Sequence, residues 1–200
     1  MVKEGYRFFI PCLIVGILCA LLQFAYPAFL FFVLAAFMGF FFRNPTRVIP
    51  EAPNLIVSPA DGKVVKISRT AGGEQTLSIF LNIFNVHVNR SPIAGELRSL
   101  DYRRGKFKAA FDDEASRVNE QNILTIGGEG TPVVVRQIAG LIARRVVCWK
   151  KPGDRLERGE LIGLIRFGSR VDVTVPEHAR IRVKVGDKVQ GGSSVLGELA

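Results

Sequence analysis

The segment KPGDRLERGELIG, residues 151–163, recurs in altered form as KVGDKVQGGSSVLG at residues 184–197. Both copies begin with Lys-x-Gly-Asp, continue with a basic and an apolar residue, and carry a second glycine three positions later. In a turn of this kind the aspartate caps a tight glycine-containing bend, and the second glycine reverses the chain. The repeat therefore predicts two matching turns in the last quarter of the chain.

Short strand-like runs alternate with turn residues through the rest of the chain, as in KVVKIS (63–68) and RVDVTVP (170–176). Ten such runs at this spacing are typical of an all-β sandwich or barrel. Only residues 108–122, KAAFDDEASRVNEQN, suggest a helical turn. The repeated Gly-Asp turn resembles the hammerhead turns of biotinyl/lipoyl-like domains. We therefore expect a mainly β, barrel-sandwich-hybrid-like domain.

The N-terminal part of the chain is of a different kind, since residues 8–42 contain no charged residue. A bilayer-spanning helix needs about 20 apolar residues, so this run is too long for one span and slightly short for two. Pro27 near its middle favours a transmembrane helical hairpin of two short or tilted spans. A signal peptide is the alternative, but the run far exceeds an apolar core of about 7–15 residues.

Charge and composition predict on which side of the membrane the chain ends lie and how the chain divides into domains. Basic residues flank the apolar run on both sides, which predicts that both ends lie in the cytoplasm. The predicted domains are a membrane anchor at 1–43, a proline-containing linker at 44–57 and a β domain at 58–200. The net charge of +9 favours anionic lipid head groups over nucleic acid as the partner of an anchored domain. Three cysteines without a CxxC pair, and only two histidines, predict neither a disulfide framework nor a metal site.

Three separated segments carry residues that suggest chemistry: Asp61 in SPADGKV (58–64), His87 in FLNIFNVHVN (80–89) and Ser169 in LIRFGSRVDV (164–173). Taken singly, they read as a turn tip, a structural histidine and the end of a strand. Together they supply the orienting acid, base and nucleophile of a catalytic constellation. Ser193 in the second hammerhead copy competes with Ser169, but Glu160 stands near its position in the first copy, which indicates a turn.

The motifs FFRNPTR, SPADGKV, FLNIFNVHVNRSPIAGEL, Y-x-x-GKF-x-x-A, NEQN and IRFGSRVDV follow one another from about Phe40 to the C-terminus. In combination they resemble the phosphatidylserine decarboxylase family, of the short bacterial and archaeal type. The resemblance implies a proenzyme that cleaves itself between Gly168 and Ser169, into chains 1–168 and 169–200. The serine would become an N-terminal pyruvoyl group, which forms a Schiff base with phosphatidylserine and acts as the electron sink for loss of CO₂.

The resemblance also implies residue roles. Ser169 is the pyruvoyl precursor, His87 the base and proton donor, and Asp61 the group that orients or charges the base. Arg90, Arg103 and Arg170 are weaker candidates for the lipid head group, because each is as well explained as a solvated surface residue.

Two departures from the better-known long-form members leave a question open. This chain has Phe-Gly-Ser-Arg at the cleavage site instead of Leu-Gly-Ser-Thr, and Arg90 stands where those enzymes show a second histidine. Whether His87 serves both self-cleavage and decarboxylation therefore stays undecided.

Two further alternatives remain at this point. One is a non-catalytic biotinyl/lipoyl-like carrier or membrane adaptor, which would need a modifiable lysine, usually in a Met-Lys pair that the chain lacks near its turns. The other is a decarboxylase of a related, ether-linked phosphoserine lipid. The preferred reading is a lyase at the cytoplasmic side of the cell membrane, working as a heterodimer of its two cleavage products within a possible homo-oligomer.

Overall fold

The computed structural model describes residues 1–105, 118–127, 132–140, 145–166 and 169–199. The chain divides into two compact units, Met1–Thr46 and Arg47–Ala200. The first unit contains α1 (Lys3–Leu21) and α2 (Ala25–Phe41). The strands described in the second unit are β1 (Leu55–Val57), β2 (Gly62–Arg69), β3 (Gln75–Leu81), β4 (Val88–Arg90), β5 (Gly95–Arg103), β6 (Gln121–Ile126), β7 (Val133–Ala139), β8 (Val146–Cys148), β9 (Arg155–Leu156), β10 (Leu161–Ile165), β11 (Ser169–Val175), β12 (Arg180–Ile181), β13 (Lys188–Val189) and β14 (Val195–Glu198).

The two apolar helices of the first unit pack against each other in antiparallel orientation. Phe8 near the start of α1 stacks on Phe42 just after α2, with ring centroids 5.6 Å apart. Further along α1, Gly16 lies so close to the Phe32 ring that an added Cβ would be 3.0 Å from it. Helix α1 is long and apolar enough to cross a bilayer, whereas α2 is apolar but shorter. The expected pair of helices is present, and their crossing of a membrane stays a prediction.

The strands of the second unit form antiparallel sheets in a mainly β domain, as the strand-like runs predict. The largest sheet has the order β13-β2-β3-β11-β7-β6-β5-β9, and two three-stranded sheets have the orders β4-β10-β8 and β1-β14-β12. Strand β11 lies at the centre of the large sheet, paired with β3 on one side and β7 on the other. Its three valines, Val171, Val173 and Val175, belong to the hydrophobic core. The alternating residues Arg170, Asp172 and Thr174 therefore point to the other face of the sheet.

The two Gly-Asp turns have the same internal hydrogen bonds, which confirms the predicted repeat. Asp154 Oδ2 accepts a hydrogen bond from the backbone N–H three residues earlier at 3.0 Å, and Asp187 Oδ2 does the same at 2.9 Å. Gly153 and Gly186, which precede the aspartates, have φ of 92° and 103°, a conformation that residues with a Cβ rarely adopt. The turns introduce β9 and β13, the two edge strands of the large sheet.

A second repeat, which the sequence prediction missed, pairs with these turns. Residues 58–62 and 91–95 are both Ser-Pro-x-x-Gly and lead into β2 and β5. The backbone N–H of the first serine in each segment donates to the turn that packs on it, to Ser194 O at 2.8 Å and to Glu160 O at 2.7 Å respectively. The domain is therefore built from two similar arrangements, each a Ser-Pro segment held by a Gly-Asp turn.

The strand boundaries differ from the sequence prediction at the segment around His87. The run TLSIFLNIFNVHVN (76–89) is not one strand, because a turn at residues 82–87 separates β3 from β4, which belongs to another sheet. Asn82 and Asn85 hydrogen-bond the turn backbone with their side chains, and such bonds compete with continued strand pairing.

Two other predicted segments need comment. The predicted linker at 44–57 contains strand β1, which pairs with β14. Most of the segment 108–122, where a helical turn is predicted, lies outside the described residues.

Candidate functional site

Ser169 opens strand β11 at the centre of the large sheet. Its register partners are Leu81 of β3 and Ala139 of β7. The residue is fully buried, at 0% exposure, and its Oγ has no hydrogen-bond partner within the described part of the chain. A buried hydroxyl without a partner costs about 1–3 kcal/mol, so such a group in a native fold calls for an explanation. Gly168, which precedes it, lies outside the described residues.

His87 lies directly before β4 and is also buried, at 1% exposure. Its Nδ1 is 3.0 Å from the backbone oxygen of Asn85, so Nδ1 carries the proton and donates to that carbonyl. The lone pair is then on Nε2, and the ring can act there as a base. The backbone carbonyl of Asn85 thus orients the imidazole and selects its Nδ1–H form.

Backbone pairing brings His87 and Ser169 to the same region of the domain. The carbonyl of His87 accepts a hydrogen bond from Ile165 N at 3.2 Å, and Ile165 ends the strand that leads to Ser169. From the other side, Leu81 lies opposite Ser169 and is connected to His87 by the turn at 82–87. Two independent backbone connections therefore place His87, the predicted base, and Ser169, the predicted nucleophile, in the same region of the domain.

The carboxylate of Asp61 accepts hydrogen bonds from two other segments of the chain. Its two carboxylate oxygens accept hydrogen bonds from the Arg47 guanidinium, at 2.9 and 2.8 Å, and Oδ1 also accepts from Gly191 N at 2.8 Å. Asp61 therefore joins the segment after the helices to the second hammerhead turn. The sequence prediction missed Arg47 as its partner, although Arg47 ends the FFRNPTR motif.

Arg90 belongs to the same charged cluster. Its guanidinium donates to Gly159 O at 2.8 Å in the first hammerhead turn. Burial lowers the pKa of Arg90, repulsion from Arg47 lowers it further, and the Asp61 carboxylate acts in the opposite direction. This cluster places two cations and one anion between the two Gly-Asp turns.

The other two predicted head-group residues occupy contrasting environments. Arg170 is buried, and its Nε and Nη2 contact the Asp172 carboxylate at 2.7 and 2.9 Å. As the residue next to Ser169 in a strand, it points to the opposite face of the sheet. Arg103 is exposed at the end of β5 and donates to Asp101 at 2.8 Å.

A chain of buried amides, which sequence reasoning missed, lies on the Ser169 face of the sheet. Asn122 Nδ2 donates to Gln137 Oε1 at 3.2 Å, and Gln137 Nε2 donates to Asn89 Oδ1 at 2.8 Å. The chain connects β6 and β7 to β4, the strand that follows His87. The sequence feature that could have indicated this chain of amides is a glutamine inside the apolar run VVVRQIA of β7.

The described residues contain no cluster of three or more His, Cys, Asp or Glu side chains arranged to hold a metal ion. What they provide is a buried serine, an imidazole whose Nδ1 donates to Asn85 O, and a group of charged side chains that includes Arg90, three residues after His87. This set suits proton transfer and nucleophilic attack on a carbonyl.

Comparison with known proteins gives a consistent result along nearly the whole chain. Residues 34–197 match the family described as phosphatidylserine decarboxylase. A phosphatidylserine decarboxylase proenzyme of Solibacter usitatus (strain Ellin6076) is 52% identical over 173 residues, which cover 86% of this chain and 82% of that protein. Proenzymes of the same name from Geobacter sp. (strain M21) and Carboxydothermus hydrogenoformans are 47% and 42% identical, covering 98% and 100% of this chain and 95% and 96% of theirs. The chain belongs to the phosphatidylserine decarboxylase family, as the ordered motifs around Asp61, His87 and Ser169 predict.

Proposed function

We propose that this chain is a proenzyme that cleaves itself before Ser169 and then decarboxylates phosphatidylserine to phosphatidylethanolamine. The observation that carries the proposal is the fully buried Ser169, whose Oγ has no hydrogen-bond partner among the described residues. A hydroxyl in this state is not engaged by another described group, which supports a reactive role for it. The relatives at 42–52% identity are named as proenzymes, which agrees with self-processing.

The self-cleavage can be written with the chain's own groups. Ser169 Oγ attacks the carbonyl carbon of Gly168 while His87 takes the hydroxyl proton, and the amide bond gives way to an ester as the nitrogen is protonated. Removal of the Cα proton of residue 169 then expels the Gly168 carboxylate and leaves dehydroalanine. Its enamine isomerises to an imine, and addition of water releases ammonia and leaves a pyruvoyl group.

The surroundings of residue 169 fit a pyruvoyl group. The position is fully buried between Leu81 and Ala139, so a reactive ketone there is shielded from bulk water. When formed, the group would take up the amine of the substrate and withdraw electrons as CO₂ leaves. The chain itself contributes two things. His87 can transfer a proton near this position, and the pairing of β11 with β3 and β7 fixes residue 169.

Asp61 has two possible ways to act in this scheme. The first is to orient or charge His87, as the family resemblance implies. The second is to hold Arg47 and the hammerhead turn at Gly191, which the hydrogen-bond distances of 2.8–2.9 Å support. Asp61→Asn and Arg47→Ala distinguish the two: equal loss of processing in both variants favours the second way, and loss in Asp61→Asn alone favours the first.

The head group of the substrate carries a carboxylate and a phosphodiester, which require cations. Among the candidates, Arg90 is best supported, because it lies with Arg47 in the charged cluster near the Ser-Pro segments. Arg170 already forms an ion pair with Asp172, and Arg103 is exposed at a strand end. We therefore expect Arg90→Ala to raise KM more than Arg103→Ala does.

The location and assembly follow from the same reading. The apolar helices α1 and α2 would anchor the protein as a membrane hairpin, with the catalytic domain on the cytoplasmic side. The paired Ser-Pro and Gly-Asp repeats support a barrel-sandwich-hybrid-like domain. The working enzyme would be a heterodimer of chains 1–168 and 169–200.

Mass spectrometry of the purified protein tests the proposal. We expect two chains ending at Gly168 and beginning at residue 169, the smaller one lighter by one ammonia than a fragment with an N-terminal serine. Ser169→Ala should stay intact and release no CO₂ from phosphatidylserine, whether its chains are ester- or ether-linked. Ser193→Ala is the matched control and should be processed and active. An intact wild-type chain with serine at 169 would exclude the mechanism.

A second variant tests the base. His87→Ala should slow processing by at least about a hundredfold, as is typical for loss of general base catalysis. His178→Ala, at the other histidine of the chain, should process at the normal rate. Normal processing of His87→Ala would remove His87 from the self-cleavage step.

A further inference from the structure

The turn that connects β3 to His87 exposes two consecutive large apolar side chains. Ile83 is 45% exposed and Phe84 is 67% exposed. Other exposed apolar residues of the β domain, such as Val48 and Val185, are isolated, as is common on protein surfaces. Adjacent isoleucine and phenylalanine at the tip of a tight turn form a small protruding apolar surface.

Three backbone N–H groups of this turn donate hydrogen bonds to acceptors within the turn itself. Asn82 N donates to Asn85 Oδ1, and Phe84 N donates to Asn82 Oδ1, both at 2.9 Å. Asn85 N donates to Asn82 O at 3.0 Å. Unpaired backbone groups are costly to remove from water, so these bonds lower the cost of moving the tip into a less polar medium.

The position of the turn relates it directly to the proposed reaction site. It begins after Leu81, the register partner of Ser169, and ends at His87. At the end of the β4-β10-β8 sheet next to His87, Arg166 N donates to Arg145 O at 3.3 Å. Arg145 is exposed there, whereas Arg166 is half-buried and its Nε is buried. Cations near a membrane surface are attracted to anionic head groups by about 1 kcal/mol each.

We propose that the turn at residues 82–85 inserts Ile83 and Phe84 into the interface of an anionic phospholipid bilayer. Insertion brings the buried His87 and Ser169 to the level of the head groups, so a phospholipid substrate reaches them without leaving the bilayer completely. The proposal rests on the proposed function for the nature of the substrate. The insertion itself rests on the exposed side chains of Ile83 and Phe84, the hydrogen-bonded backbone of the turn and the exposed Arg145 beside it.

Fluorescence of the full-length protein, reconstituted in vesicles of phosphatidylcholine and phosphatidylserine, tests the insertion. Phe84→Trp and the control Val185→Trp are each combined with Trp149→Phe, which removes the native tryptophan. Lipids brominated in their acyl chains should quench the Phe84→Trp variant at least about twofold more than the control, because the bromines reach only inserted side chains. Equal quenching of the two variants, or emission already blue-shifted without lipid because another protein copy covers the tip, would overturn the proposal.

Turnover measurements test whether insertion of the turn gives the reaction site access to phosphatidylserine in a bilayer. In the double variant Ile83→Ser/Phe84→Ser, kcat/KM for phosphatidylserine in vesicles should fall at least about tenfold, as expected for losing two large apolar contacts. With monomeric short-chain phosphatidylserine the double variant should match the unaltered protein, and Val185→Ser should match it on both substrates. Equal losses on both substrates, or no loss on vesicles, would contradict the proposal. If the unaltered protein decarboxylates neither substrate, the proposed function fails, while the quenching experiment still decides the insertion.

Discussion

Ser169 and Gln137 lie on the same face of adjacent strands, and their environments differ in an informative way. The Gln137 side chain bonds to amides on both sides, whereas Ser169 Oγ has no hydrogen-bond partner in the described ranges. Buried polar groups are normally paired, so the doubly bonded Gln137 is read as structural. Asn89 Nδ2 shares the unpaired state of Ser169 Oγ in the described ranges, so the place of Ser169 at the predicted cleavage site is what marks it as the reactive group. The motifs around Ser169 and His87 predict both as site residues, and their roles stay predictions. The partners of Asp61 and Gln137 could not be predicted, because they come from distant segments that only the folded chain brings together.

Gln137→Leu should destabilise the domain by about 2 kcal/mol, because Asn89 Oδ1 and Asn122 Nδ2 would lose their partner in a buried position. Urea unfolding followed by circular dichroism measures the change. The exposed Gln190→Leu is the control and should change the free energy of unfolding by less than about 0.5 kcal/mol. A Gln137→Leu domain as stable as the wild type would show that the amide chain does not support the fold.

Among the elements, the hammerhead turns were the most predictable and the segment around His87 the least. The turns depend on local chemistry, an aspartate side chain bonded three residues back and a glycine at positive φ, and both features are visible in the sequence. The break between β3 and β4 depends on which sheet each strand joins, and this is a tertiary property. Apolar alternation through residues 76–89 therefore suggested one strand where the fold contains two.

The first hammerhead turn should give the domain a pH-dependent contribution to stability. Burial alone would raise the pKa of Glu160, but hydrogen bonds from Lys150 and from Glu157 N, with attraction to Lys150, lower it overall. A carboxyl group with a lowered pKa stabilises the fold above its unfolded pKa of about 4.3, and this contribution is lost as pH falls through the folded pKa.

Glu160→Gln should therefore be less stable than wild type at pH 7, by about 1 kcal/mol or less since the pair is partly exposed, and the difference should close below about pH 4. Thermal unfolding at several pH values measures it. Glu157→Gln, at an exposed side chain three residues earlier, should follow the wild type throughout. A difference that is constant with pH would exclude a role for the carboxylate charge.

The whole molecule carries a net charge of +9, and its proposed substrate lies in an anionic surface. Long-range attraction between such partners raises the local concentration of lipid and is screened by salt, with a Debye length of about 10 Å at 0.1 M. In the proposed function, charge would therefore add to the apolar helices in bringing the protein to its substrate.

Raising the ionic strength from about 0.05 M to about 0.5 M should lower kcat/KM for phosphatidylserine in vesicles several-fold, because salt screens attraction to the membrane surface. The rate on a monomeric short-chain substrate, measured in the same buffers, should change much less. Equal salt dependence for both substrates would place the effect in the reaction site instead of at the membrane.

The central position of β11 has a consequence for the life of the protein after cleavage. A cut before Ser169 leaves residues 169–200 as a separate chain, yet this chain supplies the middle strand of the largest sheet and the middle strand, β14, of another. The two proposed products would thus be interleaved and could not part without exposing the core. Folding would be unimolecular before the cut and bimolecular after it. A processed molecule that unfolds would then have to find a new partner, so its unfolding temperature should rise with protein concentration. The proposed self-cleavage would therefore make a fold that was reached once as a single chain difficult to reach again.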